Sequence, residues 1–196
     1  VINRKVRYGT ANFLKEPAMT REEAIQAIEA GIKVTNDAID RGYDLIGTGE
    51  IGIGNTTASS AVLFAFTGAP IDRVVGRGAG LTDEAFARKK AVVEEAVRLH
   101  QPDPDDPLDV LAKVGGLDIA GMVGTYLACA ARRVPVVTDG LISNVAALAA
   151  MRCKPEAVQY MIPSHISFEP GAKLLKEITG LEPMLDMDMR LGEGTG

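Results

Sequence analysis

Two glutamates sit where a carboxylate could work on a sugar. Glu50 lies in Gly47-Thr-Gly-Glu-Ile-Gly-Ile-Gly54, and Glu193 in Leu191-Gly-Glu-Gly-Thr-Gly196, each flanked by glycines in its own loop. Such a pair is compatible with a glycosidase-like division of labour between two carboxylates, and equally with two separate surface glutamates. Around Glu50 the chain reads as strand, loop and helix. Tyr43 to Ile46 form the apolar end of a buried strand, and Gly47, Gly49, Gly52 and Gly54 leave the backbone free to take positive φ. Asn55, Thr56 and Thr57 are helix-capping types, and a small-residue helix follows over 55–67. A junction of this kind aims unpaired N–H groups at one point, where an anion is favoured. Gly52, Gly54 and Asn55 are therefore candidates for a phosphate cradle. Glu50 would repel a phosphate at contact distance, so it faces a sugar hydroxyl or an incoming base. The loop is not a Walker A sequence, since no Gly-Lys-Ser/Thr follows, and it lacks the third glycine of the dinucleotide fingerprint.

A second glycine loop, Gly76-Arg-Gly-Ala-Gly80, follows an expected strand at Arg73–Val75 and precedes a helix capped by Thr82. Phe86, Val93 and Val97 mark the buried stripe of that helix, and Lys89 and Lys90 fall on the same side. An inward lysine either snorkels to water or meets an anion. Snorkelling is the commoner answer, but with two anion-suited loops nearby in sequence a phosphate partner competes with it. Thr138-Asp-Gly140 closes an expected strand at Val134–Val137, and Ser164-His-Ile-Ser167 closes another at Val158–Ile162. Each polar cluster thus follows a strand, and in a parallel sheet the carboxyl ends share one rim. There is no His/Cys cluster with zinc spacing and no Gly-x-Ser-x-Gly elbow. The acidic run Gln101–Pro107 reads as a solvated connector rather than a metal site, because three prolines forbid regular structure there.

The elements that must position these residues alternate between strand and helix along all 196 residues. That pattern predicts an α/β fold with a largely parallel sheet and helices on both faces, a Rossmann-like three-layer domain spanning 1–196 after a polar lead-in at 1–19. Thr20 and Glu23 form a capping box, and Ile25, Ile28, Ile32, Thr35 and Ile39 give the first helix its apolar stripe. Leu117 to Arg132 is a helix rich in Ala120, Gly121, Gly124 and Ala128, suited to close packing against a sheet or a second subunit. Leu185, Met187 and Met189 alternate with polar residues, as in a strand with one wet face. Cys129 and Cys153 read as reduced core thiols, with a disulfide the minority alternative. A formal net charge of −5 implies no general attraction to nucleic acid or membrane, and no apolar run reaches the roughly 20 residues needed to span a bilayer.

The string Gly49-Glu-Ile-Gly-Ile-Gly-Asn-Thr-Thr57 resembles the signature of nicotinate-nucleotide:dimethylbenzimidazole phosphoribosyltransferases, and Met189-Arg-Leu-Gly-Glu-Gly-Thr-Gly196 is similar to that family's second signature. Gly76 to Leu81, Arg88-Lys-Lys90, Gly115 to Gly121, Val137 to Gly140 and Ser164 to Ser167 extend the resemblance over nearly the whole chain. It implies transfer of phosphoribose from nicotinate mononucleotide to 5,6-dimethylbenzimidazole, giving α-ribazole 5′-phosphate for the cobalamin nucleotide loop. By the same resemblance Glu193 is the general base and Glu50 a ribose contact. Gly52, Gly54, Asn55, Gly78, Lys89 and Ser167 would hold the substrate and its phosphate, and Leu191 and Ile53 part of the benzimidazole pocket. The resemblance implies no metal or cofactor, and it implies a homodimer in the cytoplasm. Members of the family extend beyond this stretch on both sides. A chain that opens on Val1 and stops inside a glycine loop is accordingly read as part of a longer protein. Two other classes stay open on residues alone: a nucleotide-binding module without catalysis, and a nicotinamide-dependent oxidoreductase.

Overall fold

The computed structural model describes residues 1–78, 80–189 and 194. Its elements run α1 (Arg21–Asp40), β1 (Ile46–Gly47), α2 (Asn55–Thr67), α3 (Ile71–Val74), α4 (Asp83–His100), α5 (Pro107–Val114), α6 (Leu117–Arg132), β2 (Val136–Thr138), α7 (Leu141–Cys153), a 3₁₀ segment (Pro155–Tyr160), β3 (Met161–Pro163) and α8 (Pro170–Thr179). The fold is α/β with a parallel sheet in the order β1-β2-β3, as the alternation predicts. The sheet is smaller than expected, and helices make up most of the mass.

The differences have local causes. Tyr43 and Leu45 are more than half exposed, so the first strand is confined to Ile46 and Gly47. Pro155 opens a 3₁₀ segment through Tyr160, which shortens the strand expected at 158–162 to Met161–Pro163. Pro163 can lie in that strand because β3 is at the sheet edge. Arg73 to Val75 do not form a strand: Pro70 starts a turn in which Arg73 N–H donates to the Pro70 carbonyl, and the short helix α3 results. Val74 and Val75 are fully buried all the same. The segment from Met184 to Met189 runs beside 163–168 and bonds to it, but makes only one isolated bridge, His165 with Leu185. Asp188 takes a left-handed φ of 51°, which ends the extended run.

The capping box of α1 forms as read, with Thr20 accepting from Glu23 N–H and Glu23 accepting from Thr20 N–H. Its buried face, however, runs through Ala24, Ala27, Ile28 and Thr35, while Ile25 is 37% exposed. The seam is drawn toward small residues because α1 lies unusually close to α6, its most extensive partner. A Cβ on Gly31 would stand 2.0 Å from the Gly121 carbonyl oxygen, and one on Gly124 would stand 2.0 Å from that of Ile28. The small residues of α6 are thus used against α1. Cys129 lies buried in α6 and its thiol is pushed up to about 11 by burial; Cys153 is exposed rather than a core thiol, and both are free. The main core runs from Ala27 through α2, α4 to α7 and into Leu175 of α8. No helix among the described residues is long and apolar enough to cross a membrane.

At the α1–α6 seam the obstacle to a side chain is main chain on both sides, which no rotamer can relieve. Gly124→Ala should therefore destabilise the fold by about 1–3 kcal/mol, the usual cost of overpacking. Gly9→Ala, where a Cβ meets nothing within 4 Å, is the matched control. Urea denaturation of both variants gives the comparison.

Candidate functional site

Parallel strands put three carboxyl ends on one edge. β1 leads to Thr48, Gly49 and Glu50, β2 to Asp139 and Gly140, and β3 to Ser164 and His165. Beneath that edge lies a buried hydroxyl triangle. Thr48 Oγ1 is 2.8 Å from both Tyr126 Oη and Ser143 Oγ, and those two are 2.6 Å apart. Burial pushes the Tyr126 phenol up to about 12, against the opposing effect of its bonds to Ser143 and Thr48, so it stays a neutral anchor. Asp139 N–H donates to Ser143 Oγ, and Asn144 closes the turn by donating to the Asp139 and Gly140 carbonyls. Asp139 and His165 are both almost fully buried, with Oδ1 3.9 Å from Nδ1. Asp139 Oδ2 accepts from Gly194 N–H at 2.8 Å, and a Cβ on Gly194 would lie 3.9 Å from Gly49 Cα. Gly194 is therefore seated beside the Glu50 loop. Leu191 and Glu193 lie outside the described residues.

The Glu50 loop is held differently from the cradle that its glycines suggest. Glu50 Oε2 accepts from Gly52 N–H at 2.8 Å and from Asn55 Nδ2, which also donates to Asp118 Oδ2 at 2.6 Å. A Cβ on Gly52 would strike both Asn55 Nδ2 and Asp118 Oδ2, at 2.4 and 2.6 Å, which explains that glycine. The N-cap of α2 is Gly54 in the left-handed region, with no side-chain cap bond. The expected capping role of Asn55, Thr56 and Thr57 is thus corrected: Asn55 ties two carboxylates together, and Thr56 turns toward Lys89. Gly52 N–H is likewise taken by Glu50 rather than left open to an anion.

Lys89 is the inward lysine of the pair. Only 6% exposed, its Nζ donates to Thr56 Oγ1 at 3.0 Å and to the Gly76 carbonyl at 2.9 Å. Burial lowers its pKa, and the charge of Glu169 works in the opposite direction. Lys90 is not inward; it pairs with Asp72 near the surface and lies over the Phe86 ring. Gly78, at φ 57°, packs against Thr56 and Lys89: a Cβ there would stand 3.2 Å from Thr56 Oγ1 and 3.7 Å from Lys89 Nζ. Its N–H donates to Glu169 Oε1 at 2.7 Å, and Glu169 N–H in turn donates to Ser167 Oγ at 3.4 Å. The first turn of α2 is the meeting point, with Asn55 toward Glu50 and Asp118, and Thr56 toward Lys89 and Gly78. Ser167 reaches this group through Glu169.

A cavity of about 630 Å³ opens beside the same turn, lined by Gly52, Gly54, Asn55 and Asp118 and, from the other side, by Arg7 and Tyr8. Residues of the expected lead-in are therefore part of its wall. Sequence reasoning missed Thr56, Asp118 and Glu169. Asp118 and Glu169 each stand at the start of a helix, where an acidic residue needs no other explanation. Asp139 was visible as a cluster after a strand, but its bond to Gly194 has no sequence signal. Among the described residues no group of three or more His, Cys, Asp or Glu side chains is arranged to hold a metal ion.

The phosphoribosyltransferase family model matches residues 1–196. The nicotinate-nucleotide–dimethylbenzimidazole phosphoribosyltransferase of Chloroflexus aggregans is 58% identical over 196 residues, covering all of this chain and 56% of that protein. The enzyme of the same name from Acetivibrio thermocellus is 53% identical over the same span. The crystal structure of CobT from Thermus thermophilus superposes with a TM-score of 0.93 at 42% identity, over 99% of this chain and 58% of that one. The chain spans a little over half the length of the curated relatives it matches. With the family model matching from the first residue to the last, the chain belongs to the nicotinate-nucleotide:dimethylbenzimidazole phosphoribosyltransferase family.

Proposed function

We propose that residues 1–196 are the catalytic core domain of an enzyme that transfers the phosphoribosyl group of nicotinate mononucleotide to 5,6-dimethylbenzimidazole in cobalamin nucleotide-loop synthesis. The observation that carries this reading is the buried Lys89 ammonium, set with Gly78 against the turn of α2 that also holds Glu50 through Asn55. A phosphate on the lysine side places the ribose toward the glutamate side. Lys89 offers a point charge to the 5′-phosphate, with Gly54, Ser167 and the turn at Gly78 beside it, while Gly52 and Asn55 hold Glu50 on the ribose side. Glu50, already fixed by two donors, takes a ribose hydroxyl and stabilises positive charge that develops at C1′.

In the reaction one benzimidazole nitrogen bonds to C1′ while the bond from C1′ to the nicotinate nitrogen breaks. The electron pair of the broken bond neutralises the pyridinium ring, so departure builds no negative charge that would call for a metal. The other benzimidazole nitrogen loses its proton to the Glu193 carboxylate, and attack from the face opposite the leaving group inverts the anomeric centre. The seat of Gly194 on Asp139, beside Gly49, supports bringing Glu193 to that sugar. Leu191 and the exposed Ile53 belong to the acceptor-base side in the same reading. A cytoplasmic homodimer is part of the proposal, and light scattering on the purified protein tests the dimer.

Three outcomes are expected. Lys89→Ala should weaken nicotinate mononucleotide binding about 10- to 100-fold, the range for losing a charged hydrogen bond of about 1.5–3 kcal/mol, as read by calorimetry. Because the Lys89 pKa is lowered, affinity in the unmodified protein should fall as pH rises through that depressed value, earlier than for an ordinary lysine, and Lys89→Ala should erase the fall. Glu193→Gln should cut nicotinate release by about 10²–10⁴-fold while leaving mononucleotide affinity nearly unchanged. Undiminished release in Glu193→Gln would remove that residue as the base, and mononucleotide binding with no release in the unmodified protein would leave only a nucleotide-binding module.

A further inference from the structure

Glu169 stands where an N-cap side chain usually turns back to its own helix, yet it makes no such bond to α8. It reaches across to the turn at 76–78 instead. Oε1 accepts from Gly78 N–H at 2.7 Å. Oε2 is pressed on Gly76, where a Cβ would stand only 1.6 Å away, so the carboxylate fills the space a side chain would need. That oxygen is buried and has no hydrogen-bond donor among the described residues. The carbonyl of the same Gly76 accepts from Lys89 Nζ. The chain of contact therefore runs from Glu169 to Gly76 to Lys89.

A buried carboxylate oxygen without a donor is costly by itself, so hydrogen bonding does not account for the arrangement. Charge does. Both acceptors of Lys89, Thr56 Oγ1 and the Gly76 carbonyl, are neutral, and burial alone would drive the ammonium toward its neutral form. The other charged side chains nearby are already matched at the surface: Lys90 with Asp72, Arg77 with Asp83, and Arg73 with Glu177. Glu169 is the charge that acts on Lys89 from the elements packed around it. We propose that Glu169 is a positioning residue for Lys89, shaping the Gly76–Gly78 turn that holds the ammonium and supplying the buried counter-charge that keeps it ready for a phosphate. This rests on Lys89 as the phosphate ligand of the proposed reaction.

Two variants of the full chain test it. Glu169→Gln keeps an acceptor for Gly78 N–H and removes the charge; Glu169→Ala removes both. The first readout needs no ligand: the Lys89 ¹³Cε shift followed by NMR from about pH 7 to 11. The midpoint should drop by about one unit or more in Glu169→Gln. The second readout is calorimetry with nicotinate mononucleotide. Near neutral pH, Glu169→Gln should bind within about threefold of the unmodified protein, losing affinity at a lower pH than it does, and Glu169→Ala should bind about tenfold more weakly throughout. An unchanged Lys89 midpoint in Glu169→Gln overturns the inference, whatever Lys89→Ala shows about phosphate binding. Tighter mononucleotide binding at every pH in Glu169→Gln also overturns it, because the carboxylate would then be a competitor for the anion. An effect on the Lys89 midpoint with no loss of affinity in Lys89→Ala would instead retire Lys89 as phosphate ligand, leaving its charge partner assigned.

Discussion

Keeping an ammonium charged inside a protein is the constraint on which this structure turns. Lys89 is nearly excluded from water, and each group around it answers to that fact. Thr56 gives up a capping role to accept from it, Gly76 turns its carbonyl inward, and Gly78 takes a left-handed conformation that leaves the turn open beside it. A lysine that served only the core would be replaceable by an apolar residue at little cost, since burying a charge without strong pairing is unfavourable. Its two direct acceptors are neutral, so its charge is balanced from behind them, by the Glu169 carboxylate seated against Gly76.

The Glu50 side of the site obeys a different rule. There the charges are negative, and they are brought together by one amide. Asn55 Nδ2 donates to Glu50 and to Asp118, so a single neutral side chain holds two carboxylates that would otherwise push apart. Helix α2 contributes to both halves because its first residues diverge around the helix axis: Asn55 to one side and Thr56 to another. The angle between the two sets of contacts is thus fixed by consecutive residues of one helix, about 100° apart around its axis, rather than by a flexible loop.

Much of this was legible in the sequence. The parallel α/β pattern, the capping box at Thr20, the helix over 55–67 and the inward aim of Lys89 follow from periodicity and local chemistry. The short strands did not, because Pro155 and Pro70 act through turns that periodicity ignores, and because Asp188 breaks an alternating run with one dihedral. On α1, Ile28 and Thr35 are buried and Ile32 packs against the core as read, but Ile25 gives way to Ala24 and Ala27, since the close approach of α6 at its glycines favours small residues there. Glu169 was illegible for a similar reason. Its partner lies 91 residues away, and before a helix-opening proline it looks like an ordinary first-turn acid.

The glycine seam between α1 and α6 has a reach beyond that helix pair. Tyr126, two residues past Gly124, carries the hydroxyl that grips Thr48, and Thr48 stands two residues before Glu50. Interhelical distance is therefore transmitted, through one rigid ring, to the height at which an acidic loop rests above the strand ends. The depth at which two helices interlock is in this way a dimension of the candidate site itself.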